Sequence, residues 1–103
     1  MAFMILQTTS NPKNAKKLIQ KAFNKGLTSC VQQEVITSHY LWKNKKVREK
    51  EICLSFKINQ KDFKKIKKLI LKWHSYEIPE IIGIKVHKVS KSYKQWHKNT
   101  LKG

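Results

Sequence analysis

Residues 29–58, SCVQQEVITSHYLWKNKKVREKEICLSFKI, decide the fold. The first half is rich in Val, Ile, Thr, Tyr and Trp, the residues that suit a pleated, half-buried surface. The second half returns through Ile52, Leu54, Phe56 and Ile58, four apolar side chains at a period of two that share one face of a strand. Between them the polar tetrapeptide Lys43-Asn44-Lys45-Lys46 suits a hairpin loop. A regular hairpin closed by that loop pairs residues whose numbers sum to about 89. Cys30 is then expected near Asn59 and Cys53 near Ile36, which separates the two sulfurs too far for a disulfide. With no CxxC spacing either, both cysteines read as reduced, buried, small hydrophobes.

On the N-terminal side, Phe3-Met4-Ile5-Leu6-Gln7-Thr8 is a short apolar run, expected as a strand buried on both faces. Asn11-Pro12 supplies a helix cap followed by proline at the first helical position. Ala15, Leu18, Ile19, Ala22 and Phe23 then recur at helical spacing until Gly26 closes the helix. Beyond the hairpin, Asn59 is expected to cap a second helix, with Asp62 favourably placed in its first turn and Phe63, Ile66, Leu69, Ile70 and Trp73 as its apolar stripe. The many lysines of that helix fall on its opposite, solvated face. Pro79 prevents further helix, Ile81–Val86 reads as a fourth strand, and a terminal helix from Ser90 or Ser92 carries Tyr93, Trp96, His97 and Thr100. The order β-α-β-β-α-β plus a helix is the split βαβ arrangement, an antiparallel sheet with two helices on one face, in a single domain over residues 1–103. A long aromatic-rich hairpin on so small a sheet leaves an edge that calls for a partner chain, most simply by strand addition.

Lys and Arg number 23 against 6 Asp and Glu, a formal net charge of +17 in 103 residues. Such an excess advertises a polyanion, so a basic nucleic-acid-binding module is the alternative reading. Arg48, however, is the single arginine, and the arginine fork is what suits bidentate recognition of phosphate and guanine. Abundant Lys, Asn and Ile also follow the residue usage of an AT-rich genome, so nucleic acid is not the expected partner. No stretch approaches a membrane span and Met1–Leu6 lacks the features of a signal peptide, so the cytoplasm is the expected location.

The isolated glycines form no phosphate loop, and no paired-carboxylate or Ser/His/Asp spacing stands out, so no catalytic activity is expected. An enzyme with its site in a cleft between subunits is the least favoured alternative. No two of the four histidines are spaced to ligate from one helical turn. His39 and His97 read as surface or interface residues, and His87 sits beside the cations Lys85 and Lys88. The segment His74-Ser75-Tyr76-Glu77-Ile78-Pro79-Glu80 is different. It gathers an imidazole, a phenol and two carboxylates about one rigid turn, where they brace the turn or converge on a pocket.

Extended to Ile82, that segment resembles the HPYEVPEI signature of the CutA divalent-cation tolerance proteins. Lys25-Gly26-Leu27-Thr28-Ser29-Cys30-Val31 resembles the family's KLAACV, and Ile36-Thr37-Ser38-His39-Tyr40-Leu41-Trp42 its TSxYxW strand. Phe56-Lys57 resembles its strand-ending lysine, and Tyr93-Lys94-Gln95-Trp96 its YLxW helix. The resemblance implies a ferredoxin-like protomer in a homotrimer, without an established enzymatic activity and linked to tolerance of copper and other divalent metals. The matched positions include an intersubunit pocket of Lys57, Tyr76 and Glu80 bordered by Cys30 and Trp42, in which we expect Lys57 and Glu80 to pair with the Tyr76 hydroxyl completing the hydrogen bonds. At the positions where copper-binding members carry a cysteine and two histidines stand Gln7, Trp73 and His74. His74 alone remains as a metal ligand, so no cofactor is required and a divalent cation such as Cu(II), or a small anion, is expected to bind weakly.

Overall fold

The chain builds β1 (Phe3–Ser10), α1 (Pro12–Asn24), β2 (Cys30–Trp42), β3 (Lys45–Asn59), α2 (Phe63–Trp73), β4 (Ile82–Lys85) and α3 (Lys91–Thr100), with a 3-10 turn over Gln60–Asp62. The computed structural model describes residues 2–101, so Met1, Lys102 and Gly103 of the expected 1–103 domain lie outside the described residues. The sheet runs β2-β3-β1-β4 with every pair antiparallel, the order that the βαββαβ reading requires.

The hairpin is longer and tighter than its sequence suggested. Lys43 (φ 49°) and Asn44 (φ 65°) both occupy the left-handed region, forming a two-residue loop of the kind that matches strand twist. Trp42 therefore pairs with Lys45, and Cys30 with Lys57 rather than Asn59. Cys53 lies opposite Glu34 rather than Ile36, and both thiols are free. A shift of two residues leaves every side chain on its original face, so the apolar alternation is blind to it. Asn44 is the residue in the loop that tolerates positive φ most readily, and it is the sequence signal for the shorter turn.

Leu6, Leu54, Phe56 and Ile58 of the sheet are fully buried against Leu18 and Ala22 of α1 and Ile66 and Ile70 of α2. The first strand is covered on both faces, as expected, though less completely on the second: Met4, Leu6 and Thr8 are buried on this side and Phe3 and Thr9 on the other, where Ile5 and Gln7 between them are half-buried. Gly83 is placed by α2, since a Cβ there would stand 2.9 Å from the Phe63 ring. Asn11 caps α1 as expected, its side chain accepting from the Asn14 N–H at 2.8 Å. Asn11→Ala should lower stability by about 1 kcal/mol, read as a smaller denaturation midpoint with an unchanged slope. Asn59 does not cap α2. Its side chain makes no cap bond and turns instead to α3, and the chain enters α2 through the 3-10 turn.

α3 lies on the opposite face of the sheet. Phe3, one residue out of phase with the core-facing Met4 and Leu6, stacks on His97 at 4.6 Å and Tyr93 at 6.1 Å between ring centroids. That second face carries most of the polar chemistry.

Candidate functional site

By strand alternation and register, Ile5, Gln7 and Thr9 of β1 share this second face with Glu49, Glu51, Cys53, Ser55 and Lys57 of β3. The even-numbered residues of β2 from Cys30 to Trp42 join them. α3 covers one end and the turn at Tyr76 the other. Under the turn is a cleft of about 670 Å³, walled by Tyr40, Trp42, Val47, Tyr76 and Ile78 and lined by Glu49, Glu51, Glu77 and Glu80. Four of the chain's six acidic side chains therefore meet in one cleft of a strongly basic protein.

Two of these carboxylates are held by phenols. The Tyr76 hydroxyl donates to Glu51 Oε2 at 2.6 Å, and the Tyr40 hydroxyl donates to Glu49 Oε1 at 2.5 Å. Glu51 is only 5% exposed, so the Tyr76 bond supplies a donor where water has been largely removed. Burial first, then the bond to Glu51, pushes the Tyr76 phenol well above its ordinary range; the bond to Glu49 raises Tyr40 to about 12. Both phenols stay protonated and act as donors. Glu80 accepts from Gln7 Nε2 at 3.0 Å.

His74 stands behind the turn and is spent on holding it. Its Nδ1 accepts from the Tyr76 N–H at 3.0 Å, and Nε2, which must then carry the proton, donates to the Thr9 carbonyl at 2.8 Å. Burial lowers its pKa, outweighing the opposite influence of the Thr9 bond. Asn14 fixes the same turn from α1, donating to the Trp73 carbonyl and accepting from the Ser75 N–H.

The expected pocket residues fall into two groups. Trp42, Tyr76 and Glu80 line the cleft. Cys30 and Lys57 are cross-strand neighbours toward α3, where Lys57 Nζ donates to the Tyr93 hydroxyl at 3.3 Å. Within one chain the expected Lys57–Glu80 pair does not form, and among the described residues Lys65–Asp62 is the only ion pair. Glu49, Glu51 and Tyr40, which sequence reasoning did not select, belong to the cleft. The signal was there in the hairpin, since Tyr40, Glu49 and Glu51 share one face in either register and the expected one sets Tyr40 directly opposite Glu49.

His97 is buried, contrary to its expected surface or interface place, whereas His39 and His87 are exposed. Its Nε2 donates to Asn59 Oδ1 at 2.8 Å and its Nδ1 accepts from the Ser29 hydroxyl at 2.5 Å. The fold thus assembles a Ser-His-Asn chain that no sequence spacing announced. With Ser29 8% exposed and His97 0%, no substrate reaches it, and it serves as a polar staple between α3 and the sheet. Burial, then the Lys57 charge, lowers the His97 pKa and keeps the ring neutral.

The family described as CutA1 divalent ion tolerance protein matches residues 3–100. The chain belongs to this family. A probable divalent-cation tolerance protein, a cutA homolog from Encephalitozoon cuniculi, is 32% identical over 94 residues, covering 91% of this chain and 82% of the relative. The divalent-cation tolerance protein CutA of Thermotoga maritima is 31% identical, covering 90% of this chain and 92% of the relative. The solved structure of CutA from Synechococcus elongatus superposes with a TM-score of 0.92 at 28% identity, over 98% of this chain and 91% of that one.

Relative to the CutA copper pattern, this chain offers little to hold the metal tightly. Gln7 is bonded to Glu80, the Trp73 indole has no donor pair, and both His74 nitrogens are in use. Among the described residues no three His, Cys, Asp or Glu side chains come together to hold an ion. The Cys53 thiol, pushed up by burial and by Glu34, is not a ready thiolate. A tight copper centre does not fit these residues.

Proposed function

We propose that this CutA-family protein is a non-enzymatic binding and scaffold protein, a cytoplasmic homotrimer in which a second copy closes the acidic cleft. The observation that carries the reading is the apolar surface left bare in one chain. Ile78, Ile82, Ile84 and Trp96, on the turn, β4 and α3 of the cleft face, are 42–71% exposed, and so are Val35 and Leu41 on the opposite face of the β2 edge. Surface of this kind marks an interaction face, and the long β2 edge offers main-chain hydrogen bonds to go with it. Lys57 of one copy would then face Glu80 of the next, reuniting the expected pocket across the interface. Sedimentation at micromolar concentration should give three times the chain mass, and a monomer would overturn the reading.

Three copies carry a formal charge of +51, so self-repulsion opposes assembly. The melting temperature of the assembly should rise between about 10 mM and 150 mM salt, as the screening length shortens from about 30 to 8 Å. A flat or falling curve would mean that the repulsion is already neutralised.

Divalent cations are proposed to bind only weakly. Cu(II) at His74 has to displace the Thr9 carbonyl or the Tyr76 N–H, so calorimetry should give a small heat that His74→Ala removes. Stoichiometric, tight uptake would overturn this.

A further inference from the structure

The helical layer, on the other side of the sheet from the cleft, holds a second arrangement. Lys17 and Lys21, one turn apart on α1, and Lys72 on α2 place their ammonium groups 4.7, 4.0 and 5.3 Å from the centre of the Trp73 ring. The indole face attracts each cation, but it does not cancel their mutual repulsion. No carboxylate does so either, since among the described residues the only ion pair is Lys65–Asp62. Three ammonium groups converging without a counter-charge are matched by a multivalent anion. The cluster is also not isolated. The apolar sides of α1 and α2 are committed to the core, and Lys13, Lys16, Lys64, Lys67 and Lys68 stand exposed on the outer sides of the same two helices.

We propose that this layer is a docking surface for single-stranded nucleic acid: the Lys17, Lys21 and Lys72 ammonium groups swing from the half-buried Trp73 ring to backbone phosphates and so uncover its outer face for a base. Lysines give point-charge contacts to phosphate without reading bases, and Arg48, the one arginine, lies away on the hairpin, so recognition is independent of sequence. Charge complementarity selects a polyanion, and the aromatic ring among the cations selects a strand whose bases are free to stack. A membrane surface is a poorer match, because most of the apolar side of each helix is buried in the core and only Phe23 on α1 and Leu71 on α2 remain exposed, too few to form a continuous inserting face.

The test is fluorescence anisotropy with a labelled 20-nucleotide oligo-U on the intact protein, titrated from 50 to 200 mM salt. The wild type should bind with an affinity that falls steeply with salt. The triple variant Lys17→Ala, Lys21→Ala, Lys72→Ala should bind at least tenfold more weakly at 100 mM salt, its slope smaller by about 2, from three lost contacts at about 0.7 each. Trp73→Leu should weaken oligo-U binding severalfold while leaving duplex binding unchanged. The control removes equal charge at the hairpin tip, Lys43→Ala, Lys45→Ala, Lys46→Ala, and should change affinity less than threefold. Circular dichroism confirms that each variant is folded. No binding at 50 mM salt, equal losses in the two triple variants, or binding to phosphatidylserine vesicles in place of the oligonucleotide would each overturn the proposal.

Discussion

Replacing His97 with alanine should destabilise the protein by about 3–5 kcal/mol, because a cavity and two stranded polar groups appear together. The ring is fully buried against Phe3, and Ser29 and Asn59, 8% and 4% exposed, have little water to turn to when it is removed. Chemical denaturation reads the loss, and a change below about 1 kcal/mol would show that α3 is held by other contacts. The same ring makes stability depend on pH. Both His97 and His74 have pKa values lowered from 6.5 by burial, so below pH 6.5 the unfolded chain takes up protons that the folded chain refuses. Their contribution is therefore complete above pH 6.5 and is lost as the pH falls through the folded pKa values. The slope is at most about 1.4 kcal/mol per pH unit for each ring. His97→Gln should remove roughly half of the slope that sets in below pH 6.5, ahead of most carboxylate protonation.

Where sequence reading succeeded, the physics was local. Asn11-Pro12 starts α1, Gly26 at φ 65° ends it, and the period-two run from Ile52 to Ile58 fills the core, each without help from distant residues. The hairpin register was missed by two because the pattern has a period of two, and only the Asn44 conformation breaks that degeneracy. Asn59 was read as a cap from its neighbours, whereas its partner His97 lies 38 positions later. His97 itself sits in a polar helical stretch, and only the tertiary fold reveals that Ser29 and Asn59 await it.

The site was legible to the same extent. The turn His74–Glu80 announced a concentration of polar groups because they are consecutive in sequence. Its partners on the hairpin, Tyr40, Glu49 and Glu51, come from another segment, and Tyr76 meets Glu51 across 25 positions. Net charge concealed them further. Six acids among 23 cations suggest a surface with no negative feature, yet four of the six lie in one place. Distribution, which composition does not contain, carries the functional information.

Tyr76→Phe should cost about 2–3 kcal/mol, the second large effect, since it deletes one oxygen and leaves the Glu51 carboxylate buried without its donor. A phenylalanine fills the same volume, so the loss is that of the bond and not of packing. Tyr40→Phe removes an equally short bond to Glu49, but in an exposed position on the hairpin, and should change stability little. The decisive measurement is the double-mutant cycle with Glu51→Leu. Where both partners are replaced, no group is stranded, so the double variant should recover most of what Tyr76→Phe loses and reveal a coupling above about 1 kcal/mol. Additive losses would mean that the phenol and the carboxylate act independently. In that case the Tyr76–Glu51 bond is not what braces the cleft.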